Sequence, residues 1–312
     1  MVNAIQSISV LFTQILLFYG FILFGYLISR MSRKGKILNK HLNSLLIKAL
    51  LPILVFYTFL TSASPSLLEI PIFLVLVVAI HLLGPVILYL RLRRLDINNQ
   101  TKGALFICST FNNALFIPLP LALIFIGPSA VPFVIMFSLT QMILFVTLGS
   151  AMGATFGGKE AGWKKVAKDA ATFPPFLAII VTLVLMGLNI ELPNDLALIL
   201  SYNSPLTTYL ALVSVGLGVG VRFSLWDIRT ALNAVVVRQL IVPLIIFPII
   251  LISTLSQIPI QVLILESLMP PAVLTVVYAS GFNLDVETAS TTVTVGTLLL
   301  LPLIPLLPLI IG

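Results

Sequence analysis

Ten long apolar segments dominate this chain of 312 residues. Most approach the roughly 20 residues that a helix needs to cross about 30 Å of hydrocarbon, and none resembles a strand. Only 9% of the residues are charged, against about 25% in soluble domains. The sequence therefore predicts an all-α integral membrane protein with ten transmembrane helices, at residues 8–29, 41–61, 70–90, 102–126, 130–154, 173–189, 205–221, 232–254, 260–281 and 286–309.

Lysine and arginine residues mark one side of the predicted bundle. Fifteen of the seventeen lie in the loops after the first, third, fifth and seventh segments, and the opposite loops contain none. The positive-inside rule makes that side cytoplasmic, so both termini are expected outside, with the plasma membrane as the default location. A nucleic-acid partner is not expected, because it would need basic residues on a soluble face. The fifteen are Arg30, Arg33, Lys34, Lys36, Lys40, Arg91, Arg93, Arg94, Lys102, Lys159, Lys164, Lys165, Lys168, Arg222 and Arg229.

Residues for catalysis or cofactor binding are scarce. The chain has one cysteine, Cys108, two histidines, and no H-E-x-x-H or G-x-S-x-G pattern. An enzyme is therefore not expected, nor is any cofactor beyond a coupling H⁺ or Na⁺. An anion channel remains an alternative, because broken helices also build selectivity filters.

Proline-rich breaks interrupt the fourth and ninth segments, at residues 113–120 and 269–272. Backbone groups freed at bilayer depth are tolerated only where protein or a cavity satisfies them. Two halves of five helices have opposite orientations, and the breaks fall in the fourth helix of each half, as in carriers built from inverted repeats. We expect a first repeat at 1–154, a cytoplasmic linker at 155–172 and a second repeat at 173–312.

Two sequence stretches resemble the auxin efflux carrier family. Residues 270–290, which run into Leu301 and Pro302, are similar to that family's ninth and tenth helices. Residues 113–120 are similar to its Asn-x-x-x-x-Gly-x-Pro break, although Pro118 stands where the family usually has Gly. Shorter similarities occur at 50–52, at 214–216, and in the spacing of Arg238 and Pro243.

The resemblance implies an elevator-type secondary carrier. Helices 1, 2, 6 and 7 would form a scaffold that also makes a homodimer, and helices 3–5 and 8–10 would form a transport domain. The broken helices would cross at Pro120 and at Pro270 or Pro271. Family substrates are organic anions, auxin-like acids or dicarboxylates, and transport is expected to be outward.

Substrate contacts are expected at the two breaks. A half-helix that opens at Pro120 and another that opens at Pro271 would present N–H groups and the positive end of a helix dipole to a carboxylate. Asn112 and Asn113 precede the first break, and Asn113 can donate a hydrogen bond to the substrate or satisfy a freed carbonyl.

Glu266 is the candidate for ion coupling, because an intramembrane carboxylate is costly to bury. It can carry a proton, or form a Na⁺ site with oxygen atoms of Asn112, Asn113, Ser138 or Gln141. The distant bile-acid sodium symporters are similar in using a ninth-helix Glu for sodium. The alternative is a Glu that makes only local hydrogen bonds.

Arg238 and His81 also lie within the predicted helices. Arg238 can pair with Glu266, neutralise a substrate anion or extend to the interface. We expect His81 to make a hydrogen bond between packed helices rather than to relay protons.

Overall fold

The protein is described by a computed structural model, which covers residues 2–312 except 33, 62–67, 94–95, 159–171, 173, 189, 191 and 223–226. Across these residues the chain is helical apart from one isolated antiparallel bridge and its connecting segments. The helices are α1 (Val2–Met31), α2 (Gly35–Leu45, Leu46–Leu50 and Leu51–Thr61), α3 (Glu69–Leu92), α4a (Asn99–Thr110), α4b (Pro118–Phe125), α5 (Pro128–Ala130, Val131–Leu144, Phe145–Gly149 and Ser150–Gly157), α6 (Pro174–Gly187), α7 (Asn194–Ser201 and Asn203–Arg222), α8 (Ile228–Val236, Val237–Ile241 and Val242–Leu251), α9a (Gln257–Ser267), α9b (Leu274–Gly281) and α10 (Val286–Leu300, Leu301–Leu306 and Leu307–Ile311).

The prediction of an all-α membrane protein is confirmed for the described residues. Seven helical runs are long and apolar enough to cross a bilayer, and α6 contains a shorter apolar helix, Leu177–Gly187. The fourth and ninth predicted segments are each split into two short helices, so neither half alone reaches the about 20 residues of a span. The count of ten spans stays a prediction.

Part of the predicted topology falls outside the described residues. This is true of most of the 155–172 linker and of several basic loop residues that set the predicted orientation. They are Arg33, Arg94, Lys159, Lys164, Lys165 and Lys168.

Helices α1 and α7 pack through two glycines. A Cβ atom at Gly25 would lie 2.1 Å from the main-chain oxygen of Val213, and one at Gly216 would lie 2.0 Å from that of Ile22. Helices inside a membrane gain their contact energy from such close backbone approach, since lipid is as apolar as the side chains. Both glycines therefore set the spacing of this helix pair.

Replacing Gly216 by leucine is expected to force α1 and α7 apart and to lower the unfolding temperature of the purified protein. The expected loss of stability is about 3 kcal/mol, the upper range for overpacking a close contact. Gly20→Leu is the matched control on α1, because a Cβ at Gly20 would meet nothing within 4 Å. Equal unfolding temperatures for the two variants, measured in the same detergent, would contradict this account.

The first turns of α4a and α10 are tied together. Asp285 caps α10 by accepting from the backbone N–H groups of Glu287 and Thr288, and it also accepts from the Thr101 hydroxyl at 2.8 Å. Partial burial alone would raise the pKa of Asp285, but the hydrogen bonds from Thr288 and Thr101 outweigh it and lower the pKa. Aspartate is among the residues that most favour the position before the first turn of a helix.

Candidate functional site

The two broken helices meet main chain to main chain. Asn112 and Pro271 form an antiparallel bridge, in which the Asn113 N–H donates to the Pro270 carbonyl at 2.8 Å and the Ala272 N–H donates to the Phe111 carbonyl at 2.9 Å. Each break thus satisfies backbone groups that the other break leaves free, as buried non-helical backbone requires. The predicted pairing of the two breaks is found in the structure.

The crossing lies earlier on the fourth segment than expected. The prediction placed it at Pro120, but Pro271 faces Asn112, and Pro120 lies in the first turn of α4b, which begins at Pro118. The second half-helix begins at Leu274 rather than at Pro271. Because the bridge holds 112–113 and 270–272 extended, helix can resume only some residues further on.

A cavity of about 280 Å³ lies beside the crossing. Its polar lining consists only of amide and hydroxyl side chains, with no Lys, Arg, His, Asp or Glu among the lining residues described. The apolar wall includes Phe116, Phe145 and Met142, and the start of α9b closes one side. The full lining is Asn43, Ile47, Asn112, Asn113, Ala114, Leu115, Phe116, Ser138, Gln141, Met142, Phe145, Ala272, Val273, Leu274 and Val277.

A smaller cavity of about 80 Å³ lies next to it and shares Asn43, Asn113, Phe116 and Val273 with the first. Its other walls come from α7 and α10, and it includes Ile117, which directly precedes α4b. Each cavity is therefore adjacent to the N-terminal end of one half-helix, where backbone N–H groups favour an anion.

Asn113 borders both cavities. Its Oδ1 accepts from the Phe116 N–H at 3.1 Å, which helps to turn the chain into α4b. The NH₂ group of the same carboxamide is therefore the part that can donate to a bound carboxylate.

Gln141 is held against the backbone of Asn112. Its Nε2 donates to the Asn112 carbonyl at 2.8 Å, and its Oε1 accepts from the Asn112 N–H at 3.2 Å. The same Oε1 lies 2.8 Å from Nε2 of His81 on α3. Gln141 thus satisfies a break residue on one side while it lines the cavity on the other.

Glu266 and Arg238 lie behind the crossing and do not line either cavity. Both are completely buried. Asn112 donates its Nδ2 to the Glu266 carboxylate at 2.9 Å, and Arg238 donates to the Glu266 main-chain oxygen at 3.3 Å. Arg238 would attract a negative charge on Glu266, although no carboxylate to guanidinium contact shorter than 4 Å is present among the described residues.

Two oxygen atoms at this polar cluster have no hydrogen-bond donor: Oε1 of Glu266 and Oδ1 of Asn112. Nothing in the described part of the chain groups three His, Cys, Asp or Glu side chains as a metal centre would require. The same buried cluster also contains two donors without an acceptor, Nε and Nη1 of Arg238.

The family described as membrane transport protein matches the chain twice, over residues 10–162 and 161–308, which together span almost all of it. The chain belongs to this family. The match confirms the resemblance to auxin efflux carriers that the sequence predicts, and its two copies fall in the two halves of the chain.

Two archaeal relatives of this family align over most of their length. An uncharacterized transporter of Methanocaldococcus jannaschii is 26% identical over 266 residues, covering 83% of this chain and 85% of the relative. An uncharacterized transporter of Methanothermobacter thermautotrophicus is 25% identical over 281 residues, covering 89% and 91%. The protein is therefore an integral membrane transporter of the membrane transport protein family.

Three helices contain a π turn near the crossing of the two broken helices, and the sequence does not predict these turns. They span Leu46–Leu50 in α2, Phe145–Gly149 in α5 and Val237–Ile241 in α8. Ile47 and Phe145 line the larger cavity, and Arg238 reaches Glu266. Such turns often occur at functional sites because they redirect side chains without ending the helix.

The sequence analysis does not predict roles for Asn43 and Gln239. Asn43 lines both cavities, and Gln239 donates to the Gly296 carbonyl of α10 at 3.1 Å. A polar residue within an apolar helix was the available signal in each case.

Proposed function

We propose that this transporter is a secondary carrier of organic monocarboxylates, moved outward by an elevator-type displacement of α3–α5 and α8–α10 against α1, α2, α6 and α7. The observation that carries the proposal is the cavity at the crossing of the broken helices, with Asn113 at its centre. The cavity is bounded by α2 on one side and by α4, α5 and α9 on the other. A substrate held there lies between the two proposed helix groups.

The lining favours one carboxylate on an apolar body. The amides of Asn43, Asn113 and Gln141 and the hydroxyl of Ser138 line the cavity, while most of the remaining wall is aliphatic or aromatic. A second carboxylate would be buried without a positive partner, which is costly in a site of low dielectric constant. Auxin-like acids therefore fit better than dicarboxylates.

Hydrogen bonds support the division into two helix groups. Within α3–α5 and α8–α10, Arg91 donates to Asn233 and Glu69 accepts from the Ser256 N–H. Within α2 and α7, Asn203 donates to the Leu50 carbonyl at 2.8 Å. The hydroxyl of Tyr19 on α1 donates to the Leu301 carbonyl on α10 and so joins the groups in this conformation.

An internal repeat is supported by matched contacts in the two halves. His81 on α3 lies four residues before Pro85 and contacts Gln141 on α5. Gln239 on α8 lies four residues before Pro243 and contacts Gly296 on α10. Each pair lies beside one end of the crossing, as an inverted 5+5 repeat requires.

Ion coupling is assigned in this proposal to Glu266. A proton on Oε1, or one Na⁺ between Oε1 and the Asn112 Oδ1, would give both partnerless oxygens an electrostatic partner. Because the same two oxygens could bind Na⁺, the second candidate function is a sodium symporter of the bile-acid type. Arg238 opposes an added positive charge at this position, so a proton taken up by the carboxylate is the first choice.

Counterflow in proteoliposomes tests the proposal. Vesicles loaded with unlabelled phenylacetate should accumulate labelled phenylacetate with saturable kinetics, whereas succinate should neither load nor compete. Imposed pH and sodium gradients then identify the coupling ion. Absence of saturable counterflow for every monocarboxylate, from protein that elutes as a single folded species, would contradict the carrier function, and non-saturating flux would indicate a channel.

A further inference from the structure

The side chain of His81 has an oxygen acceptor at each ring nitrogen. Nδ1 lies 2.7 Å from the carbonyl oxygen of Val77, and Nε2 lies 2.8 Å from Oε1 of Gln141. The ring is completely buried, on the side of Gln141 away from the larger cavity. A carbonyl oxygen can only accept, so Nδ1 needs a hydrogen to make the first contact favourable.

The second contact needs a hydrogen as well, because Gln141 cannot turn its amide over. The Asn112 N–H can only donate and therefore selects Oε1, while the Asn112 carbonyl can only accept and therefore selects Nε2. With Gln141 fixed in this orientation, Nε2 of His81 faces an acceptor. A neutral imidazole carries one N–H and leaves one of the two contacts repulsive, whereas imidazolium donates in both.

We propose that His81 is a proton-binding site of the carrier, occupied together with the carboxylate in the cavity. This inference rests on the proposed function, because the anion is what makes protonation favourable. The rings of Phe111 and Phe137 lie tilted against the imidazole at centroid distances of 6.0 and 5.3 Å, within the distance at which an aromatic ring can attract a cation.

Charged groups on the surrounding helices set the condition for proton uptake. Arg238 on α8 opposes a second positive charge at His81. Glu266 on α9a partly offsets Arg238, and α4a carries the buried Cys108 thiol, which contacts Thr275. Helix α5 has no ionisable residue, and Lys102 and Arg229 lie near the first turns of their helices.

An anion in the cavity reverses this balance. Gln141 contacts the ring of His81 and also lines the cavity, so a carboxylate bound beside Gln141 adds a negative charge near the imidazole. Proton and carboxylate then bind with positive cooperativity, since each stabilises the other. The empty carrier releases the proton because Arg238 is no longer balanced by a substrate charge.

Histidine-selective NMR tests the proton site directly, because the chain contains only two histidines. Protein labelled at the imidazole carbons and nitrogens is titrated from about pH 8 to about pH 5, the range in which histidine ordinarily titrates, with and without phenylacetate. His41→Gln, on the exposed face of α2, assigns the spectrum and serves as the matched control. Phenylacetate is expected to raise the imidazolium fraction of His81 at a fixed pH.

Binding provides the second readout. The phenylacetate dissociation constant should fall up to about tenfold per pH unit as the pH is lowered through the His81 titration. His81→Gln should remove the part of the pH dependence that falls in this range, whereas His41→Gln retains it. A His81 that stays neutral from pH 8 to pH 5 with phenylacetate bound, or an unchanged pH dependence in His81→Gln, overturns the proton site. If no monocarboxylate binds the wild type, the proposed function fails instead, and titration of His81 in the ligand-free protein then shows separately whether the ring takes up a proton between about pH 8 and about pH 5.

Discussion

Glu266→Gln is expected to destabilise the protein strongly, by about 3–5 kcal/mol, which is typical for removal of one member of a buried charged pair. The variant keeps an oxygen for the Asn112 amide but leaves Arg238 without a negative charge nearby. Arg238→Gln should be similarly damaging, because it removes the donor to the Glu266 main-chain oxygen and the charge opposite the carboxylate. The unfolding temperature in detergent measures both effects.

The double variant separates a charge effect from lost packing. Glu266→Gln with Arg238→Gln should recover at least about 1 kcal/mol relative to the sum of the single changes, as expected for residues in one polar cluster. Arg229→Gln, at the exposed start of the same helix, is the matched control and should be neutral. Additive losses would show that the two charges do not act together. Any surviving Glu266→Gln protein should also lose its response to the coupling-ion gradient.

Asn113→Asp is expected to abolish carboxylate binding while preserving the fold. An aspartate can still accept from the Phe116 N–H, so the turn into α4b is retained. It replaces the donating NH₂ group with a negative charge in the cavity, and loss of one hydrogen bond to a charged group alone costs about 1.5–3 kcal/mol. The phenylacetate dissociation constant should rise at least about 100-fold, with repulsion added to the lost bond.

Asn99→Asp supplies the control for this change. Asn99 is exposed in the first turn of α4a, at the opposite end of that helix from the crossing. The phenylacetate dissociation constant of Asn113→Ala should lie between those of the wild type and Asn113→Asp, with binding weakened about tenfold or more. This variant should also lose a little stability, because the contact with the Phe116 N–H is missing. Isothermal titration of the purified variants gives the constants. Wild-type affinity in Asn113→Asp would remove this residue from the substrate site.

The helices and the positions of the breaks could be predicted because both depend on local sequence. Apolar runs of the right length must become helices in a membrane, and prolines such as Pro118 and Pro270 prevent continuation of the hydrogen-bonded ladder. Glu266, Asn112 and Gln141 could be selected for the same reason, since polar side chains in such runs need partners. The structure does bring these three residues into one cluster.

The features of the fold and of the site that the sequence does not predict depend on contacts between distant parts of the chain. The residues at which α4b and α9b begin are set by pairing of Asn112 with Pro271, which no local pattern encodes. The location of Arg238 behind the crossing follows from a π turn in α8, and that of Asn43 at the cavity follows from how α2 packs. His81 has two acceptors only because Asn112 fixes the orientation of Gln141.

The hydrogen bonds that join the two breaks have a consequence for how such a protein can diversify. They run between backbone groups of Phe111, Asn113, Pro270 and Ala272, so they survive replacement of nearly any side chain around them. Residues that line the cavity, such as Met142 or Val277, can therefore change in size and polarity without loss of the chain crossing. Related proteins can therefore change substrate through substitutions in the cavity lining while the crossing is retained. Side chains determine recognition, whereas backbone atoms hold the two broken helices together.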